Sequence, residues 1–196
     1  MREIIFQTDW GWIGIAATDR GVRAVVLPKP TRRAVERELR SVPSNGAGGA
    51  ATIHLKAAKE ALTAYLAGKG RVHGERSLSW QARGGRVRQR LGRVGENGKL
   101  QSFHVPLDLQ GQPRFRVKVW EVLQSIPYGR VRSYGWVARK VGKPKAARAV
   151  GGACGANPVP LLVPCHRVIA GDGSLGGFSG GLSRKKRLLK LEGIYF

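Results

Sequence analysis

The sequence predicts an α+β protein: a small N-terminal α/β domain, an antiparallel sheet plus helices, followed by a helical C-terminal domain with a helix-turn-helix. Three observations lead there. Residues 4–27 form short apolar runs broken by turn residues, two stretches of helical spacing follow, and beyond residue 113 the apolar period is helical again. The expected limits are 1–69 for the first domain, 70–102 for a basic and flexible insertion, 103–112 for a linker, and 113–196 for the second domain.

Ile4 to Thr8, Gly11 to Ala17 and Val22 to Leu27 alternate as antiparallel strands do, with Asp9 and Asp19-Arg20-Gly21 as turns. Arg32 to Arg40 and His54 to Ala67 read as helices. In the second, Leu55, Ala58, Leu62, Tyr65 and Leu66 recur near helical spacing, and Gly68 ends it. From Gly70 to Ser102 the period dissolves into an arginine- and glycine-rich segment, among it Gly84-Gly85-Arg86-Val87-Arg88-Gln89-Arg90. Such low hydrophobicity and high charge predict a loop, either solvated or serving as an auxiliary DNA-binding arm.

Phe115 to Ile126 reads as an amphipathic helix closed by Pro127-Tyr128-Gly129. Ser133 is placed to cap a helix over Tyr134 to Val141, Gly142-Lys143-Pro144 turns the chain, and Lys145 to Cys154 resumes it. Helix, glycine-containing turn and helix make the helix-turn-helix pattern. Ala146, Ala147, Ala149, Gly151, Gly152 and Ala153 give the second helix almost no side-chain bulk. Tight helix packing would require that, and so would a backbone pressed close to DNA. Beyond Lys145 and Arg148 it carries none of the long polar side chains that usually read bases.

With 35 Lys and Arg against 12 Asp and Glu, the formal charge is +23 and nucleic acid is the leading partner. An anionic membrane surface is the rival, but no long apolar span or basic amphipathic helix supports it. Met1-Arg2-Glu3-Ile4 begins at once with strand-like sequence and lacks the regions of a signal peptide, so a cytoplasmic location is expected, at the nucleoid in a prokaryote. Cys154 and Cys165 are too few for a disulfide framework or a cysteine-rich metal site, and no metal is expected.

Cys165 stands beside His166 in Val163-Pro164-Cys165-His166-Arg167-Val168. An adjacent base raises the thiolate fraction of a cysteine. Alone, such a pair is more often a buried packer next to a satisfied core histidine. The flanks argue otherwise. They are Arg148-Ala149-Val150-Gly151-Gly152, Ala156-Asn157-Pro158-Val159-Pro160, Gly176-Gly177-Phe178-Ser179-Gly180-Gly181 and Leu191-Glu192-Gly193. Together they closely resemble the signature of the O6-alkylguanine-DNA alkyltransferases, the methylated-DNA–protein-cysteine methyltransferases. The resemblance is specific over Gln112 to Gly193 and loose before it.

The resemblance implies irreversible, single-turnover transfer of an alkyl group from guanine O6 in double-stranded DNA to Cys165, with minor-groove binding, a monomeric protein and no cofactor. His166 would take the thiol proton through a water, and Glu192 would orient His166. Tyr134 would donate to the guanine ring on its N3 side, and Asn157 would brace the active-site turn. Arg148 would fill the gap left by the extruded nucleotide. Val168 and Ser179 would offer backbone groups to the flipped base, and Phe178, where the family often has tyrosine, an aromatic wall. Ser133, Ala147 and Gly151 complete the expected substrate-binding set. Cys154 reads as a small packer, and Arg184-Lys185-Lys186-Arg187 as a phosphate contact or a solvated face. The insertion 70–102 is the main departure from the family pattern.

Three rivals share parts of this reading. An alkyltransferase-like lesion-binding protein would lack the nucleophile that Cys165 supplies. A helix-turn-helix transcription factor would leave the Cys-His site and the small helix unexplained. A cysteine hydrolase would need an accessible oxyanion hole and turnover.

Overall fold

A computed structural model describes residues 1–43, 48–68 and 105–196, together with the backbone of two short strands at Gln81–Arg83 and Arg86–Arg88. Most of the basic insertion, and with it the choice between solvated loop and DNA-binding arm, lies outside the described residues. The two short strands pair antiparallel where the sequence reading expects only loop. The intervening residues are Gly84-Gly85, a pair favoured in two-residue hairpins. Numbered in chain order, the elements are β1 (Arg2–Thr8), β2 (Gly11–Thr18), β3 (Gly21–Lys29), α1 (Arg32–Leu39), α2 (Ala50–Leu66), β4 and β5 (the two short strands), α3 (Arg114–Gln124), β6 (Arg132–Ser133), α4 (Tyr134–Lys140), α5 (Ala147–Gly155), a single 3-10 turn (Cys165–Arg167), β7 (Val168–Ile169) and α6 (Leu182–Leu191).

The described residues fall into two units. The first holds residues up to 68, residues 105–112 and Pro158–Leu162. Its centre is the antiparallel meander β1-β2-β3, as the alternating runs predict. Helices α1 and α2 both pack on β2. Gly14 permits the close approach of α1, since a Cβ there would meet Val35 Cγ1 at 2.4 Å and Leu39 Cδ1 at 2.8 Å. Thr31 caps α1 by accepting from Ala34 N. Helix α2 begins four residues before His54, the start that apolar spacing predicts. Asp19 accepts from Ala51 N at 3.1 Å in its first turn, a long-range cap that no local pattern reveals.

Residues 105–112 and Pro158–Leu162 join this unit through backbone pairing with β3. Val22 bridges Leu107, and Val25 N donates to Pro158 O at 2.9 Å. Asp108 is buried there, accepting from Thr18 Oγ1 at 2.7 Å and pairing with Arg23 at 3.2 Å.

The second unit holds Pro113–Asn157 and Val163–Phe196. Helix α3 packs on α5, and Trp120 Nε1 donates to Ala153 O at 2.8 Å. Ser133 caps α4, its hydroxyl accepting from Trp136 N at 3.1 Å, as the sequence predicts. The short parallel pair β6-β7 matches Arg132 with Val168 and Ser133 with Ile169, so the residues just before α4 lie beside those that follow the Cys165 turn. Val131, Ile169, Leu189 and Ile194 form the apolar cluster under this pair. Among the described residues, no helix is long and apolar enough to cross a membrane.

Candidate active site

The helix-turn-helix pair α4-α5, the Cys165 turn and the loop before α6 enclose a cavity of about 770 Å³. Ser133 and Tyr134 line it from the start of α4, and Ala147, Arg148 and Gly151 from α5. Phe178 and Ser179 contribute from the loop, and Cys165 from the turn. Eight of the twelve residues singled out in the sequence therefore meet around one space.

Cys165 is only 4% exposed. Burial pushes its thiol pKa up, while a hydrogen bond from Asn157 and the charge of Lys185 pull it back. Asn157 Nδ2 donates both to Cys165 Sγ at 3.2 Å and to Val163 O at 2.8 Å, so one amide ties the nucleophile to the backbone two residues before it.

His166 and Glu192 lie buried and do not line the cavity. His166 Nε2 and Glu192 Oε1 are 2.8 Å apart, the contact that 26 residues of separation conceal in the sequence. Burial pulls the imidazole pKa down against the opposing pull of Glu192, so the ring rests neutral. A carboxylate holding Nε2–H leaves the lone pair on Nδ1. Burial alone would raise the Glu192 carboxyl, but His166 and Arg167 outweigh it and hold the pKa at about 2.

Arg167 is a site residue that sequence reasoning missed. It is buried, donates to both Glu192 oxygens at 3.0 to 3.1 Å and reaches Ile126 O at 2.7 Å. Gly129 N also donates to Glu192 Oε2, at 3.1 Å. Position next to His166 was the only signal available.

Tyr134 Oη donates to Gly177 O at 3.3 Å. Burial raises its phenol pKa, so it remains a proton donor at neutral pH. Gly176 is pressed against the same ring: at φ 64°, a Cβ there would stand 2.8 Å from Tyr134 Cε2. Val168 sits in β7, and its carbonyl accepts from Lys185 Nζ.

Two expectations need correction. Lys185 is neither solvated nor a phosphate contact but fully buried. Its spacing was the available signal, because it shares a helix face with the buried Leu188 and Leu189. Cys154 is more than a packer on the helix face, since it also lines the cavity. Burial pushes its thiol up to about 12, which leaves it a poor nucleophile.

The glycines of α5 are not demanded by internal packing. Gly152 and Gly155 are exposed, and a Cβ on either would meet nothing within 4 Å; on Gly151 it would meet only Tyr134, at 3.8 Å. Arg148 is exposed on the same helix. Among the described residues, no group of His, Cys, Asp and Glu is placed to hold a metal ion.

Residues 114–194 match the model of the 6-O-methylguanine DNA methyltransferase, DNA binding domain. The crystal structure of Mycobacterium tuberculosis OGT in complex with DNA superposes with a TM-score of 0.66 and 33% identity, covering 98% of this chain and 93% of that one. The chain belongs to the O6-methylguanine DNA methyltransferase family. Within the family, the methylated-DNA--protein-cysteine methyltransferase of Mycolicibacterium paratuberculosis is 55% identical over 95 residues, which is 48% of this chain and 57% of that protein. The namesake from Methanosarcina acetivorans is 51% identical over 96 residues, 49% of this chain and 61% of its own length. The matched stretch thus spans little more than half of these curated family members.

Proposed function

We propose that the protein repairs DNA by direct reversal, moving an alkyl group from O6 of guanine to Cys165. The observation that carries this reading is the Cys165 thiol, braced by Asn157, in the wall of a cavity whose adjoining helix presents unoccupied glycine positions to solvent. A helix without side chains there lets a backbone approach a groove closely, which supports docking of α5 in the minor groove of duplex DNA.

Guanine O6 lies in the stack, so the damaged nucleotide must rotate out to meet the thiolate, at a cost of a few kcal/mol that a wedge reduces. Arg148, exposed on α5 and lining the cavity, is the wedge. Phe178 packs on the extruded base, and the Ser179 backbone amide is a candidate donor to it.

The neutral His166 accepts the thiol proton through a water, and the imidazolium formed is stabilised by Glu192. The Cys165 thiolate then attacks the alkyl carbon. A C–S bond forms as the C–O bond breaks, and the electron pair passes to the purine. Tyr134, kept protonated by burial, donates toward N3 so that guanine leaves neutral. The product thioether resists hydrolysis, so each molecule acts once, without cofactor. The reading takes the protein as a monomer acting on O6-alkylguanine duplexes in the cytoplasm, at the nucleoid in a prokaryote.

Incubation with a duplex containing one O6-methylguanine tests this. The protein should gain one methyl while the duplex regains guanine, and loss of the lesion without a protein adduct would exclude the reading.

A further inference from the structure

Arg139 is a charged side chain in the cavity wall to which alkyl transfer gives no task. It stands exposed in the last turn of α4, one turn beyond Gly135, and both residues line the cavity. A Cβ on Gly135 would lie 3.8 Å from Arg139 Nη1, so the guanidinium folds back along the helix over the glycine. Glycine is a poor helix former, and here its bare backbone leaves room for the arginine.

Among the described residues no carboxylate pairs with Arg139, and no Asp or Glu lines the cavity. The charged residues of that wall are Arg139 and Arg148. A base seated in the cavity stays joined through its sugar to the strand, so the phosphates on its two sides come to rest at the mouth. Arg148, as the wedge, is committed to the gap vacated in the duplex, which leaves Arg139 as the cation available to those phosphates. Its fork of N–H donors fits phosphate oxygens.

Lys140, the next residue, is just as exposed but differently placed. Its ammonium lies 5.6 Å from the centre of the Trp136 ring, which Arg132 shares at 5.3 Å, and it does not line the cavity. Equal charge in another place makes it a control.

We propose that Arg139 binds a backbone phosphate of the extruded nucleotide and so holds the lesion strand at the cavity mouth while the base lies inside. The proposal rests on Cys165 acting on an extruded base, as in the proposed function.

The test compares single-turnover transfer to the full chain from three substrates: free O6-benzylguanine, a single-stranded oligonucleotide carrying O6-methylguanine, and the corresponding duplex. Arg139→Gln should lose about tenfold more rate on both oligonucleotides than on the free base, the worth of one charge-assisted contact, with Arg139→Lys in between. A loss already present on the single strand separates this role from the wedge, which acts where a base pair must open. Lys140→Gln should keep the wild-type ratio between substrates. Replacing the two phosphates that flank the lesion by uncharged methylphosphonates should slow the wild type to the level of Arg139→Gln and slow that variant little further. Equal losses by Arg139→Gln on all three substrates, the same selective loss in Lys140→Gln, or a methylphosphonate penalty of equal size in wild type and Arg139→Gln would each overturn the proposal. If the wild type transfers nothing from any substrate, the proposed function fails instead, and the methylphosphonate comparison read as binding affinity still decides Arg139.

Discussion

Asn157 Nδ2 donates a hydrogen bond to Cys165 Sγ across 3.2 Å while the same nitrogen holds Val163 O at 2.8 Å. As the sulfur ionises this bond becomes charge-assisted, and such bonds contribute about 1.5–3 kcal/mol. Asn157→Ala should therefore slow transfer to the free base O6-benzylguanine by roughly ten- to a hundredfold. Single-turnover quench kinetics measure this, and a rate within twofold of wild type would remove Asn157 from the site.

The two cysteines should behave oppositely. Cys165→Ala should abolish transfer yet bind a lesion duplex within a few-fold of wild type, because binding draws on α5 and on phosphate contacts. Cys154→Ala should retain transfer, since burial pushes the Cys154 thiol up to about 12. An alkyl adduct on Cys154 in the Cys165→Ala protein would contradict both.

Tyr134→Phe should slow transfer more than it weakens binding, because a hydrogen bond to the leaving base strengthens as charge develops. Gly176→Ala should impair the same step by another route. At φ 64° with Tyr134 Cε2 only 2.8 Å away, the added methyl must displace the ring or the loop. Its melting temperature should fall as well, by an amount reflecting about 1–3 kcal/mol of strain. A Gly176→Ala protein with wild-type rate and stability would show that the ring yields freely.

Arg148→Ala should cost rate on duplex substrate and spare it on free O6-benzylguanine, which needs no extrusion. Equal losses on the two substrates would refute the wedge role.

Glu192 connects the site to acid stability. Its pKa of about 2 lies below its ordinary 4.5, so the unfolded chain binds the proton more readily. Stability from this group is complete above about 4.5 and is lost as pH falls through the range down to about 2. Glu192→Gln should flatten that acid limb. It should also destabilise the neutral protein by about 3–5 kcal/mol, because Arg167 is left buried without its carboxylate. Equilibrium denaturation across pH reads both effects.

Sequence carried the local features well. Alternation between residues 4 and 27 marks all three strands of the meander, and Ser133 is recognisable as a cap before its helix is seen. Motif spacing also gathers most of the lining residues of the cavity. What stayed hidden depends on long-range contact. Pro158–Leu162 joins the first unit through Val25, more than a hundred positions earlier. Arg167 becomes a site residue only when Glu192 folds back onto it. Lys185 sits in a basic run that reads as a phosphate contact or a solvated face, yet it faces inward because Leu188 and Leu189 set which side of α6 is buried. Buried Leu161 adopts φ 74°, a left-handed conformation for which a leucine gives no local signal.

The measurement closest to the central claim is tandem mass spectrometry of the wild-type protein after incubation with a duplex carrying O6-methylguanine. One methyl should appear on the sulfur of Cys165, in the Val163 to Val168 peptide, in step with loss of the lesion. A methyl on any other residue, or an unmodified Cys165 after the lesion has gone, would contradict it.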